Sequence, residues 1–202
     1  MSEMQAVGST RPGHYGIAGA AGVSLQRVAT GSVWNLQGAT GSPAFTQQVR
    51  LIWGIADLPA THRIVRSPGH TILWVGPQSW LVFGDSLPGA APLQADFSHT
   101  LGLVNQAGGA LFDVSAARVG WTLRGPRALD LLASGCPLDL HVTVFAPDSC
   151  AQTLFGHVAA LVHRHADTDF TLYVARSFAD DIWATLCANA AQYGYEVLPA
   201  ST

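Results

Sequence analysis

The chain has 202 residues, of which only 11% are charged, and a formal net charge of −3. All ten basic residues are arginine, which removes Schiff-base chemistry, a phosphate loop and a lysine general base. An acidic balance without a basic patch argues against nucleic acid as a partner, and no run of about 18 apolar residues is present to cross a membrane as a helix.

Residues 1–22 carry Gly8, Gly13, Gly16, Gly19 and Gly22 and read as a flexible arm, mobile or draped. A first half, 23–108, follows. Residues 32–37 read as a strand around Val33, Trp34 and Leu36, ending at Gly38. Ser42 then Pro43 is a helix start, with serine as cap and proline in the first position; the helix runs to about Ile55. Residues 62–66 form a short strand. Residues 71–76 and 80–84 are apolar runs joined by the turn Gly76-Pro77-Gln78-Ser79. A second helix follows Pro88 and ends near Gly102 or slightly later.

A second half, 109–202, repeats the plan. Residues 119–124 are a strand ending at Gly125, and Pro126 stands at the start of a helix with Leu129, Leu132 and Ala133 on one face. Residues 152–155 are a short strand. Residues 157–165 and 170–175 make a hairpin over Ala166-Asp167-Thr168-Asp169. Ser177-Phe178-Ala179-Asp180 is a capping-box pattern, and Phe178, Ile182, Leu186 and Ala190 recur every four residues along one helix face. Trp34-Asn35-Leu36-Gln37-Gly38 also matches Trp121-Thr122-Leu123-Arg124-Gly125 in its letters. The fold class expected is α+β, from two pseudo-repeated β-α-β-β-β-α units with mainly antiparallel sheets and helices packed on one face. The two halves are compatible with one compact domain.

Charge this sparse, against an average of about 25%, together with a positive mean hydropathy, fits either apolar surface covered by a partner chain or simply a composition rich in small residues. The N-terminal residues lack the charged and apolar regions of a signal peptide. Cys136, Cys150 and Cys187 show no metal or disulfide spacing and suit a reducing cytoplasm.

Few patterns suggest chemistry. His163 and His165 share one face of a predicted strand, but no third ligand has a recognisable spacing, so no metal site is expected. Gly16-x-x-Gly19-x-x-Gly22 is not the dinucleotide fingerprint, which needs G-x-G-x-x-G between a strand and a helix. Ser134 lies at a predicted helix end, not on a nucleophile elbow. No catalytic residue and no cofactor ligand is assigned. The most distinctive polar cluster is Asp113-Val114-Ser115-x-x-Arg118. It reads either as a binder, with Asp113 meeting a cationic amine and Arg118 a carboxylate, or as a bend. In the bend, Asp113 and Ser115 bond neighbouring backbone groups and Arg118 pairs with Asp113. Tryptophan is enriched at interfaces, and Trp74 and Trp80 are candidate subunit anchors, with Arg176 a third.

Several segments in fixed order carry a resemblance. They are Leu73-Trp74-Val75-Gly76-Pro77-Gln78-Ser79-Trp80-Leu81-Val82; Phe112-Asp113-Val114-Ser115-x-x-Arg118 followed by Leu123-Arg124-Gly125-Pro126; Gly135-Cys136-Pro137-Leu138-Asp139-Leu140; and Arg176-Ser177-Phe178-Ala179. Over residues 70–195 the chain resembles the gamma subunit of heterotetrameric sarcosine oxidase. More broadly it is similar to the folate-binding aminomethyltransferase (glycine-cleavage T protein) and YgfZ-like fold. The resemblance implies alpha, beta and delta partner subunits. It also implies a complex that demethylates sarcosine to glycine, passes one carbon to tetrahydrofolate and releases hydrogen peroxide. FAD, FMN, NAD and tetrahydrofolate would lie in the partners and none in this chain. The family commonly has acidic residues after Gly-Pro where this chain has Gln78 and Ser79, a departure that permits a different N-methyl amine as substrate. The rival expectation is a stand-alone folate-dependent aminomethyltransferase-like enzyme, or folate-binding module, with Asp113 near the reactive centre.

Overall fold

A computed structural model of the chain describes residues 11–84 and 97–201. Among them are twelve strands and four α-helices, and the strands form a 5-stranded and a 7-stranded sheet. The chain divides into two units, one spanning Thr30–Arg118 and the other Met1–Ala29 with Val119–Thr202.

The continuous unit runs β3 (Val33–Gln37), α1 (Pro43–Trp53), β4 (Ile64–Ser67), β5 (His70–Gly76), β6 (Ser79–Gly84), α2 (Phe97–Gln106) and β7 (Ala110–Asp113). Its strands lie in the order β4-β5-β6-β3-β7, and every registered pair is antiparallel. Helix α1 starts where the sequence places it. The Ser42 hydroxyl accepts from the Phe45 N–H, and Pro43 stands in the first turn, where its missing N–H costs nothing. The helix stops at Gly54, whose left-handed φ of 61° releases the chain. Phe45, Val49 and Trp53 fall on one stripe at four-residue spacing and bury against Trp34, Leu36, Ile72, Trp80 and Val82, with Val104 of α2 in the same core. Both helices therefore cover one face of this sheet. The start expected for α2 after Pro88 lies outside the described residues.

The discontinuous unit repeats the order: β8 (Arg118–Arg124), α3 (Ala128–Ala133), β9 (Ser149–Phe155), β10 (Val158–Ala166), β11 (Asp169–Ala175), α4 (Ala179–Ala190) and β12 (Tyr195–Leu198). Two strands from the start of the chain join it, β1 (Gly13–Tyr15) and β2 (Val23–Val28). The sheet order is β1-β12-β2-β8-β11-β10-β9. Comparing the two sheets exposes the difference. In the first, β3 pairs directly with its terminal strand β7. In the second, β2 is wedged between β8 and β12, antiparallel to one and parallel to the other.

Several expectations are corrected here. The arm is not free over residues 13–22: β1 pairs with β12, Tyr15 stacks on Tyr195 at 5.4 Å, and the backbone of Ile17 and Gly22 bonds to the 191–194 segment. Residues 23–28 belong with the second sheet and residues 110–113 with the first, so the halves do not part at 108/109; strand pairing, not chain order, decides membership. Helix α3 begins after Pro126, and its buried face is Ala128, Leu131 and Leu132. Ser177 lies inside a 3₁₀ turn, 176–178, so it makes no cap to α4, and Phe178 is exposed. Ile182, Leu186 and Ala190 do face the core, joined by Trp183 and Cys187.

The strand-to-helix glycine of each repeat has a physical cause. A Cβ on Gly38 would meet the Phe45 ring at 2.4 Å. One on Gly125, at φ +122°, would meet the Gly22 carbonyl oxygen at 2.7 Å.

Candidate functional site

The Asp113–Ser115 corner is built at the end of β7, an edge strand. Asp113 Oδ1 accepts both the Ser115 backbone N–H, at 2.9 Å, and the Ser115 hydroxyl, at 2.6 Å. This is an Asx turn closed by a second, shorter bond. The same hydroxyl oxygen accepts the N–H of Val33 at 2.9 Å, and the Val114 N–H donates to the Val33 carbonyl at 2.9 Å. The corner thus laces the end of β7 to the start of β3 and turns the chain through a 3₁₀ turn, 115–117, into β8. Of the two readings of this cluster, the geometry matches the bend in its Asp113–Ser115 part. Arg118 forms no ion pair with Asp113. It is half-buried, and that burial pulls its guanidinium below the ordinary arginine range.

The candidate anchors separate. Trp80 is 2% exposed and its indole N–H donates to the Pro59 carbonyl at 3.1 Å, so it is a core residue and not an interface anchor. Trp74 is half-buried at the margin of the same core, edge-on to His62 with ring centres 5.1 Å apart. Arg176 is exposed, just before α4.

His163 and His165 lie on the same side of β10 with ring centres 3.9 Å apart, and His165 Nε2 meets the Thr171 hydroxyl at 2.7 Å. Among the described residues no group of three His, Cys, Asp or Glu side chains converges as a metal site. A depression of about 340 Å³ between α1 and α2 is lined by glutamine, leucine and alanine side chains, with no group to move a proton.

Between the two histidines stands a residue that sequence reasoning passed over. Arg164 is 2% exposed, and each of its five N–H bonds has an acceptor. Nη1 donates to the carbonyls of Leu140 and Phe145, Nε to Ala166, and Nη2 to the Asp167 carbonyl and carboxylate, with the Phe170 ring 5.2 Å away. A lone charge amid the apolar letters of 158–164 was the available signal: a cation there must be fully bonded to be buried.

The model of the sarcosine oxidase gamma subunit family matches residues 37–192. Sarcosine oxidase gamma subunits from Corynebacterium sp. strains U-96 and P-1 are 27% and 26% identical, over 81% and 89% of this chain and 77% and 81% of theirs. A chain of the heterotetrameric sarcosine oxidase from Corynebacterium sp. U-96, solved with pyrrole 2-carboxylate, superposes with a TM-score of 0.76 at 25% identity, covering 88% of each chain. The glycine cleavage system aminomethyltransferase T from Bartonella henselae shares the fold, with a TM-score of 0.62 at 13% identity over 89% of this chain and 48% of that one. A match spanning both repeats, from the end of β3 to the end of α4, places the chain in the sarcosine oxidase gamma subunit family.

Proposed function

We propose that this chain is an accessory subunit of a sarcosine oxidase-like heterotetramer, assembled with alpha, beta and delta subunits, and that it contributes no catalytic side chain. The complex would oxidatively demethylate sarcosine to glycine in the cytoplasm, hand one carbon to tetrahydrofolate and release hydrogen peroxide. FAD, FMN, NAD and the folate would be held by the partners. One observation carries the scaffolding role. The most chemically suggestive acid, Asp113, spends one carboxylate oxygen on two bonds to Ser115, and these close the corner that laces β7 to β3. Family membership supports the choice of complex.

The test is co-expression with the three partner subunits. Sarcosine-dependent peroxide release should require this chain for assembly, yet change by less than about two-fold on Asp113→Asn. Calorimetry on the isolated chain with a reduced folate should give no heat of binding. Tight folate binding abolished by Asp113→Asn would favour the stand-alone one-carbon enzyme instead.

A further inference from the structure

Arg118 opens β8 at a fixed point of the chain. The Asp113–Ser115 corner and the 115–117 turn lead into it, and the next residue, Val119, is buried in the second core. The Arg118 side chain is half-buried. Among the described residues no hydrogen bond, ion pair or aromatic ring meets its guanidinium, and burial acts on the charge with nothing to oppose it. Every other arginine either has an interaction partner or, as with Arg27, stands exposed to water. Arg164 makes the contrast plain. That guanidinium is buried with an acceptor for each N–H, whereas Arg118 has lost part of its hydration and has no acceptor in return.

A partly dehydrated, unpaired cation is unfavourable until an anion meets it, and the pairing then loses less because water has already been stripped away. The planar fork of a guanidinium matches a carboxylate, which can accept two parallel bonds. Such a carboxylate comes either from a free small molecule or from an acidic side chain of another chain, and magnitudes separate the two. One charge-assisted contact is worth about ten- to a hundred-fold in an equilibrium constant. A free ligand held even at millimolar concentration needs about a thousand-fold relative to the molar standard state. A carboxylate presented by a neighbouring chain, already held by other contacts, is spared that requirement. We infer that Arg118 forms an intersubunit ion pair with an aspartate or glutamate side chain of another subunit of the oxidase complex. This rests on the subunit role proposed above, which supplies the neighbour; the complementary charge supplies the group.

The experiment uses the full complex, with the affinity-tagged chain co-expressed with the alpha, beta and delta subunits. Arg118→Gln should lower the affinity of this chain for the others about ten- to a hundred-fold, and Arg118→Lys, which keeps the charge, should restore part of it. The gap between wild type and Arg118→Gln should narrow as sodium chloride is raised. The melting temperature of the full chain alone should not fall in Arg118→Gln, because the charge has no partner there to lose. A second measurement identifies the facing group. The sequence has no lysine, so Arg118→Lys introduces the only side-chain amine of this chain. A water-soluble carbodiimide condenses an amine with a carboxylate in contact, and mass spectrometry should find position 118 joined to an aspartate or glutamate of another subunit. Wild-type affinity in Arg118→Gln, or the absence of any link from position 118 to another subunit, overturns the ion pair and leaves the subunit role standing. If wild type itself does not assemble, the subunit role falls and the ion pair with it. Saturable binding of free acetate by the chain alone, lost in Arg118→Gln, would make the occupant a small carboxylate and likewise overturn the proposal.

Discussion

Gly125 carries the most demanding backbone requirement in the second repeat. Its φ of +122° is closed to side-chain-bearing residues, and the atom a Cβ would strike is a carbonyl oxygen, which has no rotamer to change. Gly125→Ala should cost about 2–3 kcal/mol, read by chemical denaturation. Gly38→Ala drives a Cβ to 2.4 Å from the ring of Phe45, which is fully buried in the first core, so the loss there should be about 1–3 kcal/mol. A second residue-level expectation concerns alkaline pH. Burial pushes the Tyr173 phenol up from 10.0 to about 12, against a smaller opposing effect from the Thr171 side chain. Below the unfolded value both states keep the proton and the contribution to stability is complete. As pH rises toward about 12 the unfolded chain ionises first, so stability falls. Tyr173→Phe should flatten part of this alkaline decline in denaturation curves taken at successive pH values. Only part is removed, because Tyr195 is raised in the same direction, by burial first and then by the Cys187 thiol.

At the scale of an element, the corner between β7 and β8 separates two roles of neighbouring residues. Asp113→Asn keeps an acceptor oxygen for both Ser115 bonds and should cost less than about 1 kcal/mol. Ser115→Ala removes the acceptor of the Val33 N–H as well, and should cost about 1–3 kcal/mol. Faster amide exchange at Val33 in the serine variant, and not in the asparagine variant, would verify the lacing of β3. Elements like α1 and the β10–β11 hairpin were legible because their signals are local: a cap, a proline, a turn and an apolar stripe all within a dozen residues. Strand β2 was not read, although Val23, Leu25 and their polar neighbours alternate as a half-buried strand should. Its partners lie about a hundred residues or more downstream, and nothing near it in the chain reports them. The capping box at Ser177 failed for a related reason. A 3₁₀ turn already occupies 176–178, so Phe178 and not the serine stands at the start of α4. In the candidate site, the Asx bend was legible from Asp-x-Ser alone, whereas the depth of Trp80 and the reach of Arg164 depend on tertiary neighbours.

Across the whole molecule, the repeated order of strands and helices places the family resemblance on a duplicated plan, and the departure from symmetry is the insertion of β2. Val23 and Leu25 are fully buried within the second core, between β8 and β12. Deleting residues 1–28 should therefore separate those two strands and abolish cooperative unfolding of the discontinuous unit. The amides of β3, β5 and β6 should keep more of their exchange protection than those of β8 and β12, measured residue by residue. Equal loss in both units would contradict the division. The match to gamma subunits was legible from ordered short segments because the same turns and corners recur in fixed sequence. The interleaving of β2 was not, since it adds a strand without disturbing that order.

The wedge has a consequence for biogenesis. A ribosome emits Val23–Val28 long before Tyr195–Leu198, the segment that must lie parallel beside it, so the larger sheet has to wait for that distant strand while the intervening 30–118 stretch can already condense. During that interval a half-apolar strand is left without its neighbours, and slowing translation ahead of the codons for 195–198 should lengthen its dependence on chaperones.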